Sequence, residues 1–318
     1  MKSLSDGVID LRLTAIRYAA RDIHLFEFAR PDGAPLPSTA AGAHVDLHLA
    51  NGMIRQYSLV ETGEAPATYR VAVKREANGR GGSRYLFDEV KVGDILPIGQ
   101  PRNNFPLADS SSPSVFIAGG IGITPIHAMI HELAARGRPW SLFYACRSRE
   151  EVPAFELLKP KTNVNLHLDD EEGGRFLDLE KIVREAPAGA HLYCCGPAPM
   201  LAAFEAATRK WPSDQVHVEY FTAKEAAAPI GGFTVRLARS GRELVVPEGQ
   251  TILQVLRGAG LDVAFSCEEG ICGACETPVL SGIPVHNDSI LTEQEREAND
   301  TMMICCGGAR TEILELDL

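Results

Sequence analysis

Residues 266–275 read SCEEGICGAC. Cys267, Cys272 and Cys275 are spaced C-x4-C-x2-C, and Cys305 follows after 29 intervening residues, which is the ligand spacing of a 2Fe-2S cluster. Thiolate suits the task because soft sulfur holds iron in tetrahedral sites, and four such ligands complete two bridged irons. Gly270, Gly273 and Ala274 let the backbone wrap closely and aim its N–H groups at cluster sulfurs, which tunes the potential. A zinc site or buried inert thiols are the other readings, but zinc sites usually pair two knuckles and only one C-x2-C is present. Cys306 competes with Cys305 as fourth ligand; on an extended segment adjacent residues point opposite ways, and Cys305 is the one expected to face the cluster.

The sequence around this loop predicts a small mixed sheet packed on one helix: strands FTVRLA (233–238) and RELVVP (242–247), a helix over Thr251–Ala259, and a last strand in EILELDL (312–318). The middle of the chain has a different rhythm. VFIAGG (115–120), SLFYAC (141–146), NVNLHL (163–168), HLYCCG (191–196) and VHVEYF (216–221) read as strands with helical patterns between most of them, which predicts an α/β doubly wound parallel sheet. Toward the N-terminus, VDLHLA (45–50), YSLV (57–60) and YRVAVK (69–74) alternate between Gly and Pro breaks, as in an antiparallel β-barrel. ADSSSPS (108–114) and TAKEAAAPIGG (222–232) punctuate the chain, giving expected domains at 1–107, 115–222 and 232–318. A chain of 318 residues is long enough for such a division.

Met1–Leu13 lacks the apolar run of a signal peptide and reads as a first strand. No stretch is long enough to span a membrane, and eight cysteines without an export signal suit reduced thiols or metal ligands. A cytoplasmic location is therefore expected. The net charge of −11 argues against a nucleic-acid partner. The acidity is concentrated: from Phe233 onward there are 14 Asp and Glu against six Arg and no Lys.

With SCEEGICGAC, HNDSILTEQE (286–295) and MMICC (302–306) in one chain, the sequence resembles the phthalate dioxygenase reductase family, which includes vanillate demethylase reductases. The resemblance covers the whole chain. It implies an FMN-binding barrel, an NAD domain and a C-terminal plant-type ferredoxin domain of α+β β-grasp fold, with 2Fe-2S, FMN and NADH as cofactors. FMN rather than FAD, and NADH rather than NADPH, rest on the family and not on individual residues.

RQYSL (55–59) is similar to the flavin signature of ferredoxin reductases. Arg55 can pair with a phosphate, Tyr57 can pack on the isoalloxazine, and Ser58 can reach the flavin N5 region. GRGGS (79–83) is a Gly-rich turn whose N–H groups and Ser83 hydroxyl can cradle a phosphate. The resemblance assigns Arg55, Gln56, Tyr57, Ser58, Val73, Lys74, Gly82 and Ser83 to FMN.

GGIGITP (119–125) lies between the strand VFIA and a helical pattern carrying Ile126, Met129, Ile130 and Leu133, where pyrophosphate meets a helix N-terminus. Pro125 replaces the third Gly of the dinucleotide fingerprint, as in the G-G-x-G-x-T-P turn of ferredoxin reductases. Together with CGP (195–197), the resemblance assigns Gly119, Gly120, Gly122, Thr124, Pro125, Cys195, Gly196 and Pro197 to the dinucleotide. It places Thr124 and Cys195 beside the nicotinamide C4 and gives Phe221, after Glu219, the role of covering the flavin face. Arg147 either approaches the adenosine ribose or is surface charge. Cys146 and Cys194 read as packing residues.

A nicotinamide delivers two electrons together whereas an iron–sulfur cluster accepts one, so a flavin between them holds the odd electron. The expected function is the reductase component of a two-component Rieske-type oxygenase, whose oxygenase docks near the acidic ferredoxin domain. A self-contained oxidoreductase with a small acceptor and a zinc-stabilised binding module are the alternatives.

Overall fold

A computed structural model describes residues 7–153, 155, 163–222 and 231–318. Most of the second expected linker and the first six residues of the expected first strand lie outside the described residues. The described chain falls into two compact units, Val8–Glu219 and one covering Tyr220–Leu318. Among the described residues no helix is long and apolar enough to cross a membrane.

The first unit opens with β1 (Val8–Ala20), β2 (Ile23–Ala29), β3 (His44–His48), β4 (Ile54–Ser58), β5 (Tyr69–Lys74), α1 (Gly82–Asp88) and β6 (Ile95–Gly99). These strands form an antiparallel sheet in the order β4-β3-β6-β1-β2-β5. An antiparallel bridge between Leu59 and Val71 joins the two ends of that order, closing the barrel. Alternation decides which side chains point inward: Tyr69, Val71 and Val73 of β5 are buried with Leu11, Leu13, Phe26, Phe28 and Leu47, while Arg70 pairs with Glu27 and Glu61 outside.

The same unit continues with β7 (Ser114–Gly119), α2 (Ile123–Ala135), β8 (Trp140–Cys146), β9 (Val164–Leu168), α3 (Leu179–Glu185), β10 (His191–Cys195), α4 (Ala198–Thr208) and β11 (Val216–Glu219). All five strands are parallel, in the order β11-β10-β7-β8-β9. β7 is buried along its whole length, as expected of a central strand covered on both faces. The order reverses between β7 and β10, and such a switch point opens a crevice beyond the strands' carboxyl ends. Several contacts tie this sheet to the barrel, two of them at α2 and β10. His127 Nδ1 of α2 lies 2.8 Å from the Val60 carbonyl, and the Ala108 N–H donates to the Tyr193 hydroxyl at 2.8 Å.

The second unit contains β12 (Phe233–Leu237), β13 (Glu243–Val246), α5 (Ile252–Gly258), β14 (Glu276–Ser281), β15 (Pro284–Val285), α6 (Glu293–Ala298), β16 (Thr301–Met303), β17 (Gly308–Ala309) and β18 (Ile313–Leu316). Its main sheet runs β13-β12-β18-β14-β16, with β12 and β18 parallel and the other pairs antiparallel. Phe233, Val235 and Leu237 alternate inward onto Ile252, Leu253 and Leu256 of α5. Thr251 starts that helix with a capping box, its hydroxyl accepting from the Gln254 N–H while the Gln254 side chain accepts from Thr251. The expected mixed sheet on one helix is present, with α6 as an addition.

Candidate flavin, dinucleotide and cluster sites

On β4, Arg55 and Tyr57 stand opposite Leu47 and Val45, so they share the face that carries the barrel core; Gln56 and Ser58 stand opposite Asp46 and His44. Tyr57 packs against the core cluster, and burial pushes its hydroxyl pKa up. Arg55 donates to the Ile54 carbonyl at 2.7 Å and to Met53 Sδ at 3.1 Å. Its stem lies against Gly82, where a β-carbon would fall 2.6 Å from Cγ and Nε. This is a cradle only glycine leaves open, and a flavin phosphate fits its chemistry: a guanidinium beside backbone N–H groups.

The GRGGS segment is not a turn throughout. Gly81 sits in the left-handed region at φ 94° and α1 begins at Gly82, because a left-handed glycine lets the chain enter the helix directly. Ser83 Oγ accepts the Glu76 N–H at 3.0 Å, bracing the segment. The Gln56 amide donates to Asp46, which Arg102 also grips with two bonds. Val73 is fully buried, and Lys74 lies 3.5 Å from Glu151 of the loop after β8.

At the switch point the two Gly-containing turns meet backbone to backbone. A β-carbon on Gly122 would lie 2.2 Å from the Cys195 carbonyl oxygen, one on Gly119 2.6 Å from Pro197, and one on Gly196 3.1 Å from the Gly119 nitrogen. Thr124 is buried in the first turn of α2 and donates to the Ile121 carbonyl at 3.0 Å, with Pro125 beside it. The Gly120 carbonyl accepts from the Tyr144 hydroxyl at 3.0 Å. Cys195 Sγ donates to Glu219 Oε2 at 3.8 Å, and burial pushes the Glu219 carboxyl up to about 8. Arg147 is exposed after β8. Phe221 follows the end of β11, outside the sheet, since β11 pairs only through Glu219. Tyr144 and Met200, which packs on Gly119 and Gly196, escaped the sequence reading, because their roles arise only once strands and helix are assembled.

In the second unit all four expected cluster ligands are buried. The Cys267 thiol has both Cys272 and Cys305 as side-chain partners. Cys267 Sγ accepts from the Glu269 and Ile271 N–H groups at 3.3 and 3.5 Å, and Cys272 Sγ from the Cys267 N–H at 3.4 Å. Amides converging on sulfur are the donors a thiolate-held cluster needs, so the residues fit the group. Gly270 takes φ 70° and leaves no room for a side chain, since a β-carbon would meet Cys306 Sγ at 2.6 Å. One expectation is corrected. Cys305 and Cys306 are not on an extended segment but in a turn after β16, closed by the Gly307 N–H to the Met303 carbonyl at 2.9 Å. Both thiols therefore stand near one another, and alternation does not separate them.

A dinucleotide crevice and a cysteine loop of this kind in one polypeptide are the layout of an electron-transferring oxidoreductase. The description "oxidoreductase NAD-binding domain" matches residues 116–206, and "2Fe-2S iron-sulfur cluster binding domain" matches residues 235–309. The chain is 48% identical over 311 residues to phenoxybenzoate dioxygenase subunit beta of Ectopseudomonas oleovorans, covering 98% of this chain and 97% of that one. It is 43% identical over 319 residues to tetrachlorobenzoquinone reductase of Sphingobium chlorophenolicum, covering 98% of each. A solved structure of phthalate dioxygenase reductase, a modular structure for electron transfer from pyridine nucleotides to [2Fe-2S], superposes with a TM-score of 0.74 at 38% identity, covering 98% of each chain. The chain belongs to the phthalate dioxygenase reductase family.

Proposed function

We propose that this protein is the reductase component of a two-component oxygenase or demethylase, taking electrons from NADH and delivering them to an oxygenase partner of Rieske type. The observation that carries the reading is the pairing of the interlocked Gly119–Gly122 and Cys195–Pro197 turns with the buried Cys267, Cys272, Cys275 and Cys305 set. Bound FMN would accept two electrons together and release them singly to the 2Fe-2S centre.

In this reading the chain has an FMN domain over 1–107, an NAD domain over 115–222 and a ferredoxin domain over 232–318. Arg55 holds the flavin phosphate with Gly82 and Ser83. Tyr57, Ser58 and the backbone of Val73 and Lys74 line the ring, and Gln56 acts through Asp46. Gly119, Gly120, Gly122, Thr124, Pro125, Gly196 and Pro197 shape the dinucleotide crevice, with Cys195 at the reacting end, Phe221 as the covering ring and Arg147 toward the ribose. The oxygenase docks near the ferredoxin domain by pairing its Lys and Arg with the acidic surface. Thiolate ligation suits a reducing compartment, and the cytoplasm is part of the proposal.

The relative named as a tetrachlorobenzoquinone reductase supports a second reading, a reductase of a small quinone-like acceptor. Anaerobic spectra of the purified protein, with flavin and iron analysis before and after NADH, test the electron path. Flavin and red-brown cluster bands that bleach on NADH are expected, and a colourless zinc protein would overturn it. Turnover with quinones alone, without a second protein, would favour the second reading.

A further inference from the structure

Behind the dinucleotide turn, one carboxylate joins the barrel to the parallel sheet. Glu151, on the loop after β8, keeps only 14% of its side chain exposed and receives two cations of the barrel, Arg21 Nη2 at 3.0 Å and Lys74 Nζ at 3.5 Å. Arg21 stands in the β1–β2 turn and Lys74 ends β5. Arg21 is fastened to the same loop at three more points: Nη1 donates to Glu150 Oε2 at 2.6 Å, Nη2 to Ser148 Oγ at 3.4 Å, and its N–H to the Glu150 carbonyl at 2.9 Å.

On the opposite side, Cys146 Sγ donates to the Glu151 carbonyl at 4.0 Å. Tyr144, two residues back and on the same face of β8, donates to the Gly120 carbonyl. A continuous line of contacts thus runs from Lys74, on the strand assigned to the flavin, through Glu151, Cys146 and Tyr144 to Gly120 in the dinucleotide turn.

We infer that Glu151 is a positioning residue: through Lys74 and Arg21 it fixes the dinucleotide turn relative to the flavin strand, and so sets the distance over which hydride passes. The inference rests on the proposed FMN and NADH sites. Reacting atoms must stand about 3–3.5 Å apart, and a misplacement of about 1 Å costs on the order of a hundredfold in rate. An ion pair whose Arg is half exposed adds little to global stability. Its loss therefore shows in alignment before it shows in folding.

The test is anaerobic stopped-flow reduction of the flavin in the holoenzyme, comparing wild type with Glu151→Gln and Arg21→Gln. Expected for both variants are wild-type FMN and iron contents, a limiting reduction rate at least tenfold lower, a half-saturating NADH concentration changed less than twofold, and weaker long-wavelength charge-transfer absorbance between nicotinamide and flavin. Unchanged limiting rate and absorbance in both variants would overturn the inference. Loss of FMN from both would also overturn it, by making the latch a folding element. Failure of NADH to reduce even the wild-type flavin would instead sink the underlying functional reading.

Discussion

The stem of Arg55 lies directly over Gly82, so close that a β-carbon there would fall 2.6 Å from Cγ and Nε. Arg55 is also anchored by its bonds to Ile54 and Met53, so it has little freedom to withdraw. Gly82→Ala is expected to displace the guanidinium and weaken FMN binding at least tenfold, leaving the cluster spectrum intact. Fluorescence titration of the deflavinated protein with FMN measures the first, and visible absorbance the second.

Gly122 presents a stricter case, because the atoms within 2.9 Å of its would-be β-carbon are all backbone: the Cys195 carbonyl oxygen and carbon and the Gly196 nitrogen. No side chain can swing aside. Gly122→Ala must part the two turns, an overpacking cost of about 1–3 kcal/mol, and with them the crevice for the dinucleotide. The expected result is a KM for NADH raised more than tenfold, while dithionite still reduces flavin and cluster normally. Steady-state kinetics beside a dithionite titration checks it.

Much of this layout was legible in the sequence because period and spacing are local properties. YRVAVK marks β5 from end to end, VFIAGG and SLFYAC fall within a residue of β7 and β8, and the helix expected at Thr251–Ala259 is α5 between its caps. Other features depend on what the chain meets in three dimensions. GRGGS (79–83) reads as a turn because its glycines hide a helix start at Gly82 that only the left-handed Gly81 reveals. Cys305–Cys306 reads as extended in the sequence, and only the bond from the Gly307 N–H to the Met303 carbonyl shows that the chain turns there after β16. Glu151 carried no signal, since its two cations lie 130 and 77 positions earlier in the chain.

Glu219 gives the fold a pH dependence of known sign. Burial raises its carboxyl to about 8, partly offset by the bond from Cys195, whereas in the unfolded chain it titrates in the usual range near 4.5. Between those values the native state holds a proton that the unfolded state has released, so stability falls as pH rises from about 4.5 to 8 and then levels. Burial instead lowers His217 to about 4; there the unfolded state takes up the proton first, and stability is lost as pH falls from 6.5 toward 4. Between pH 4.5 and 6.5 the two slopes oppose each other, so urea unfolding of the holoprotein across pH 4–9 should show its net fall between about 6.5 and 8. Glu219→Gln should remove that fall and uncover a rise from pH 4 to 6.5, and His217→Gln should extend the fall down to about 4.5.

The choice between Cys305 and Cys306 decides how the cluster is closed. Both are buried in one turn, but their surroundings differ. Cys305 is a side-chain partner of both Cys267 and Cys306, whereas Cys306, beyond its contact with Cys305, has its Sγ 3.8 Å from the Met303 carbonyl and fills the space that Gly270 leaves. The former is the relation expected of two thiolates on one 2Fe-2S centre; the latter is that of a packing residue beneath the loop. Cys305→Ser should therefore lower iron content by more than half and shift the visible and electron paramagnetic resonance spectra, through oxygen ligation or loss of the cluster. Cys306→Ser should keep both irons and the native spectrum, with lower thermal stability as its main effect. The opposite assignment of spectra to the two variants would move the fourth ligand to Cys306.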